Sequence, residues 1–291
     1  MIKHSSLFAR QALLVAKRGY AASNLGRTRS NNSSSSRSSS SSSSRSSTEV
    51  ISLPPTSFAM SGSGWLMPFY LGVSKALKSR GLMGDTAIYG GTSGGSIGAL
   101  IACADYPPDD ALELIVSLSQ DQLLWKDMHA GLKQHLRPMV TEELLQKCQQ
   151  RLHITTTQVW PSPQLHVTST FSSAEHLLDV VAASCFIPLY SAKQLAVRVG
   201  AEKGDRQLFV DGGVLAFMPT VGEVTVSPFC DAGFPIKPIN FRPIQIHLKN
   251  GDYSMAQLLY WGLNPPKPDI MRELSSKGSD AANRWMDQQR L

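Results

Sequence analysis

The sequence predicts an α/β fold, a three-layer α/β/α sandwich around a mostly parallel central sheet. Three observations predict it. Short apolar strands alternate with stretches of helical spacing across residues 49–250. Two small-residue turns, Ser61-Gly62-Ser63-Gly64 and Gly90-Gly91-Thr92-Ser93-Gly94-Gly95, each join such a strand to such a helix. The 291 residues, 42% of them hydrophobic, suffice for one large domain with helices on both faces of its sheet.

Residues 1–29 come first and read as an organelle transit peptide. Leu7, Phe8, Leu13, Leu14 and Val15 alternate with Lys3, Arg10, Lys17 and Arg18, and no acid precedes Glu49. Arg18-Gly19-Tyr20-Ala21-Ala22-Ser23 is similar to a mitochondrial processing site; the abundant serine keeps a plastid address open, and a basic tail with no address is the plain alternative. Residues 30–48 are nearly all serine and read as a disordered linker, since they have no apolar surface to bury.

The ordered elements follow. Ile51 to Met60 predicts the first strand. Trp65 to Arg80 predicts a helix with Pro68 in its opening turn, where a missing N–H costs little, and Gly81 ends it. Thr86 to Tyr89 is a short buried strand, and Ser96 to Ala104 a helix of small residues. Helical spacing recurs over Asp109–Gln120, Thr141–Leu152 and Ala174–Ala183. Leu165–Thr170, Leu208–Val210 and Glu223–Val226 read as strands. Residues 251–291 form a C-terminal helical extension, interrupted at Asn264-Pro265-Pro266-Lys267-Pro268 and packed on a domain that spans 49–250.

Charge and cysteine usage exclude several functions. The net charge of +6 is concentrated in residues 1–48, which hold eight Lys or Arg. The remainder has 20 basic and 22 acidic side chains, a net of −2, so a nucleic-acid partner is not implied. Cys103, Cys148, Cys185 and Cys230 are widely spaced, without a zinc-ligand pattern. No apolar run reaches the roughly 18 residues of a bilayer span, so any contact with lipid would be from the surface.

The two turns and one strand end carry the chemistry. Gly91-Thr92-Ser93-Gly94-Gly95 is a G-x-S-x-G sequence between a strand and a helix. A serine turned sharply at a strand end leaves no space for side chains two residues to either side, and glycine fills both places. The helix that follows presents free N–H groups and a favourable dipole to a developing negative charge. Gly62, Ser63 and Gly64 can converge their amides on an oxyanion. A dinucleotide fingerprint fails there because Met67 replaces its third glycine, and no P-loop lysine follows either turn. Asp211-Gly212-Gly213 ends a strand, where an isolated Asp-Gly pair is more often an ordinary turn. Trp65, Phe69, Tyr70, Trp125 and Met128 suit either an acyl-chain groove or plain core.

Taken together, the order of these elements resembles the patatin-like phospholipase family. The likeness extends to Ala183-Ser184-Cys185-Phe186-Ile187-Pro188-Leu189-Tyr190. Thr225 to Phe229 and the tail from Pro265 to Trp285 are similar to its adipose-triglyceride-lipase branch. The resemblance implies a lipid acyl-ester hydrolase working through an acyl-enzyme. Ser93 would be the nucleophile, Asp211 its base in a Ser-Asp dyad, and Gly62, Ser63 and Gly64 the oxyanion hole. It implies neither metal nor cofactor, and a lipid substrate (triacylglycerol first, glycerophospholipid second) met at a membrane or lipid-droplet surface. Ser63 between the glycines and Trp65 after them depart from the patatin pattern of a glycine run followed by a basic residue. That departure bears on phospholipase activity more than on the dyad. The branch also makes cytoplasm or lipid droplet an alternative address to the organelle. Three rivals stand beside this reading. One is a Ser-Asp-His triad using His247, the only histidine after Asp211. The others are a catalytically silent lipid-surface binder and a flavodoxin-like nucleotide binder.

Overall fold

The computed structural model describes residues 56–122, 124–200, 207–230 and 242–291. The transit peptide, the serine-rich linker and the start of the strand expected from Ile51 lie outside the described residues.

Among the described residues six strands form one sheet: β1 (Ser57–Met60), β2 (Ile88–Thr92), β3 (Leu152–Trp160), β4 (Gln164–Thr168), β5 (Leu208–Asp211) and β6 (Val224–Val226). The order is β4-β3-β2-β1-β6, with β5 also paired to β3. The β3, β2, β1 and β6 pairings are parallel, as their helical crossovers require. The sheet is nonetheless mixed, because β4 and β5 run antiparallel to β3. The link from Trp160 to Gln164 is too short for any parallel return.

Strand β3 departs most from the sequence reading, which carried a helix to Leu152. The helix stops at Cys148, and Gln150 takes a left-handed φ of 60° that breaks it. The following Ile154-Thr155-Thr156-Thr157 run is β-branched and buried, and it suits a central strand.

Eight helices flank the sheet among the described residues: α1 (Pro68–Ser79), α2 (Gly94–Cys103), α3 (Pro108–Gln120), α4 (Met128–Leu136), α5 (Glu142–Cys148), α6 (Ala174–Ser184), α7 (Met255–Leu263) and α8 (Pro268–Gln289). The expected helices are present, and α4 is additional. Every residue of α2 is buried, which fits its lack of a polar face. Phe58 and Met60 of β1 join the large core, while Ala59 packs on Met218 and Ile244. Helix α8 crosses α1 at close range: the Ser279 hydroxyl donates to the Gly72 carbonyl at 3.0 Å. Met271, Leu274 and Met286 bury their side chains there, each contributing about 2 kcal/mol.

One feature of the pairing places the site. Strand β2 runs along one edge of β3 and ends with Thr92 opposite Thr155. Strand β5 runs the other way along the same edge and ends with Asp211 opposite Thr156. The two strands therefore meet end to end, delivering Ser93 and Asp211 to neighbouring positions.

Candidate active site

Ser93 connects β2 to α2 with φ 53° and ψ −131°. A non-glycine residue there carries about 1–3 kcal/mol of strain, which its surroundings must hold. They do so from two sides. The Ser93 amide donates to the Ser184 hydroxyl at 2.9 Å, and that hydroxyl donates to the Thr155 carbonyl of β3 at 2.7 Å. The Ser93 carbonyl accepts from the Ser96 amide at 2.8 Å and the Ser96 hydroxyl at 2.6 Å. The flanking glycines are sterically required: a Cβ on Gly95 would lie 2.2 Å from the Ser61 oxygen, and one on Gly91 would lie 2.5 Å from Ser96 Cα.

The Ser93 hydroxyl donates to Asp211 Oδ2 at 2.6 Å. Asp211 Oδ1 accepts the Gly213 amide at 2.7 Å, and the Asp211 amide donates to the Phe186 carbonyl at 2.8 Å. Gly212 and Gly213 thus turn the chain directly behind the carboxylate and supply one of its donors. Asp211 is only 6% exposed. Burial pushes its carboxyl up to about 6, with the hydrogen bonds from Ser93 and Gly213 opposing the shift.

The Ser61–Gly64 turn lies against this pair. The Tyr70 hydroxyl donates to the Ser61 carbonyl at 2.6 Å, and the Ser61 hydroxyl donates to that of Ser227 at 2.7 Å. These bonds pin the turn from below. Gly62, expected to donate to an oxyanion, gives its amide to the Phe217 carbonyl at 2.8 Å. The amides of Ser63 and Gly64 have no acceptor among the described residues. The Gly64 nitrogen faces the start of α2, 2.9 Å from where a Gly94 Cβ would stand.

A narrow apolar cleft ends at Ser93, lined by Trp65, Met67, Ile97, Met128, Tyr190 and Gly262 among others. Of the groove candidates, Trp65 and Met128 face it, Phe69 and Tyr70 are core, and Trp125 stacks outside Trp65 at 5.9 Å. Cys185 also borders the cleft, but burial raises its thiol pKa far above neutrality and keeps it protonated. His247 is not a partner of this carboxylate. It belongs to the segment bridged to β6, and its Nδ1 lies 2.7 Å from the Leu248 carbonyl. Asp211 stands beside β3 in line with β2; two strand spacings separate β2 from β6, roughly 10 Å, and the His247 segment lies beyond β6. Ser184 and Ser96 escaped sequence reasoning as site residues, while Tyr70, a groove candidate there, instead holds the Ser61–Gly64 turn. Of the two serines, Ser184 alone had a signal, as part of the segment preceding the Asp-Gly-Gly turn.

Comparisons with known proteins bear on the family and the fold. The sequence pattern described as "Patatin-like phospholipase" matches residues 58–222. Human patatin-like phospholipase domain-containing protein 4 is 28% identical over 244 residues, 77% of this chain and 93% of that protein. A mouse 1-acylglycerol-3-phosphate O-acyltransferase is 26% identical over 252 residues, 80% of this chain but only 59% of that protein. Among solved structures, VipD from Legionella pneumophila superposes with a TM-score of 0.50 at 12% identity, over 81% of this chain and 67% of that one. The last likeness concerns the fold alone.

Proposed function

The chain belongs to the patatin-like phospholipase family, and on that premise we propose that it cleaves lipid acyl esters with Ser93 as nucleophile and Asp211 as base. The observation that carries the reading is the 2.6 Å hydrogen bond from the Ser93 hydroxyl to the buried Asp211 carboxylate. An ordinary aspartate is too weak a base for a hydroxyl. Here burial strengthens it, and the helix start beside it favours the charge that forms.

Ser93 Oγ attacks the ester carbonyl carbon while its proton passes to Asp211 Oδ2. The amides of Ser63 and Gly64 receive the oxyanion, in place of the three donors expected from sequence. The intermediate collapses, the carbon–oxygen bond to the alcohol breaks, and the leaving oxygen takes the proton from Asp211. Water then attacks the acyl-Ser93 carbonyl, giving its proton to Asp211, and the fatty acid departs as the serine oxygen is reprotonated. An acceptor alcohol in place of water would turn hydrolysis into acyl transfer, the chemistry named in the mouse acyltransferase.

Triacylglycerol is the first proposed substrate and glycerophospholipid the second; both present the same ester to the cleft. Release of fatty acid from each by the wild-type protein, with Ser93→Ala as control, tests the reading. Turnover of either that disappears in Ser93→Ala supports it. Equal turnover by the two proteins, or none by the wild type on any ester, refutes it in favour of a silent binder.

A further inference from the structure

Seven large apolar side chains are strongly exposed among the described residues, and six of them, Trp125, Leu189, Leu195, Leu259, Tyr260 and Leu263, lie on segments that border the cleft reaching Ser93. Leu124, Tyr190 and Gly262 line that cleft and adjoin Trp125, Leu189 and Leu263 in the chain. Tyr190, which lines the cleft, links the six. Its ring meets Trp125 edge-on at 6.4 Å, and its hydroxyl donates to the Leu263 carbonyl. Leu189 precedes it, and the Leu189 amide donates to the Gln194 carbonyl at 3.3 Å, bringing Leu195 alongside. Leu259 and Tyr260 stand four and three residues before Leu263 on the same outward face of α7, while Leu258 faces inward. Tyr260 is 63% exposed and Leu195 69%. The seventh residue, Trp160, pairs with Leu208 at the opposite end of β5 from Asp211.

A contiguous apolar rim of this kind marks an interaction site. Its chemistry selects the occupant. Helix α7 carries no charged side chain, and residues 185–199 contain Lys193 and Arg198 but no acid. No carboxylate of these two segments would repel headgroup phosphates; beside Trp125, Lys126 adds a positive charge, while Asp127 accepts the Ala130 amide and Asp121 faces His135. Trp125 and Tyr260 are side chains suited to the boundary between headgroups and acyl chains. No helix of the described residues is long and apolar enough to cross a membrane, so contact would be peripheral.

We propose that this rim docks on a phospholipid surface, with α7 lying in the headgroup layer and the cleft mouth facing the lipid. The proposal rests on the reading that Ser93 attacks lipid esters, because docking lets a substrate enter the cleft without crossing water.

The test uses full-length Ser93→Ala protein and phosphatidylcholine vesicles, followed by co-sedimentation. These vesicles carry no net charge, which removes electrostatic attraction of the basic residues 1–48, and the rim variants control for any apolar contact those residues make. The protein is expected to sediment with the vesicles, and Leu259→Glu with Tyr260→Glu should weaken the partition about tenfold or more, since each lost CH₂ contact counts. Leu195→Glu probes the rim from the other segment should the double variant not fold. Unchanged partition in these variants overturns the proposal, as does failure of the Ser93→Ala protein to sediment. A dimer that the double variant converts to monomer also overturns it, because the rim would then join two copies. Hydrolysis of a water-soluble short-chain ester, measured on proteins with Ser93 intact, keeps the catalytic reading separate: its absence defeats the catalysis and leaves the sedimentation result standing.

Discussion

Ser93 holds a backbone that serine ordinarily avoids, and the bonds that hold it belong to residues of no obvious catalytic type. Ser184 is the chief of these, standing between the Ser93 amide and β3. Ser184→Ala should lower kcat about tenfold or more through misplacement of the nucleophile, with KM little changed. Its stability should fall by about 1–3 kcal/mol for the polar groups left unpaired. A variant of unaltered kcat would show that Ser184 only packs. His247→Ala should turn over at near the wild-type rate in the same assay; a loss as deep as that of Ser93→Ala would revive the triad. Asp211 makes a further prediction through its raised pKa. Its folded carboxyl titrates near 6 and an unfolded aspartate near 3.8, so the native state binds the extra proton between these values. The stability contributed by the protonated form is present at low pH and is lost as pH rises through about 6. Asp211→Asn should therefore raise Tm at pH 8, and the gain should shrink as the pH is lowered toward 5. A lower Tm at pH 8 would contradict the view that the buried charge costs stability.

At the scale of elements, the site is a junction of β2, β5 and the start of α2 against β3. The glycine turns and Ser93 were legible in the sequence because steric demand restricts those positions to few residue types; Asp211 was singled out only through the family resemblance, since an Asp-Gly pair by itself reads as an ordinary turn. Strand β3 was not legible: the sequence reading carried a helix to Leu152 and assigned no element to the threonines and Gln158 that follow, polar side chains that are nonetheless buried. The end-to-end meeting of β2 and β5 was not legible either, because register is a property of pairing and not of either segment. The Gly62 amide was misassigned for a related reason: its acceptor, the Phe217 carbonyl, lies 155 residues away. Gly95→Ala tests the junction. The new Cβ would meet backbone oxygens of Met60 and Ser61 at 2.3 and 2.2 Å, which cannot move cheaply. We expect a loss of about 3 kcal/mol in urea unfolding, and a variant of wild-type stability would show that α2 can shift away from β1.

For the whole molecule, the charge division frames how the protein meets its surroundings. The basic residues 1–48 contrast with a remainder of near-neutral balance and an uncharged α7 beside the cleft mouth. Delivery and lipid contact are thus proposed for different parts of the chain. The organelle address is proposed from the leader alone: residues 1–48 fused to a fluorescent reporter should direct it to mitochondria, and a diffuse cytoplasmic signal would remove that proposal. The catalytic account needs only the joined ends of two strands. Its most direct test is the rate at which a fluorophosphonate probe labels the protein across pH, with the modified peptide identified by mass spectrometry. Label on Ser93, a rate that climbs as pH rises through about 6, and near-silence in Asp211→Asn are the predicted results. Label on another residue, or an Asp211→Asn protein that reacts as fast as wild type, would contradict the pairing of this hydroxyl with this carboxylate.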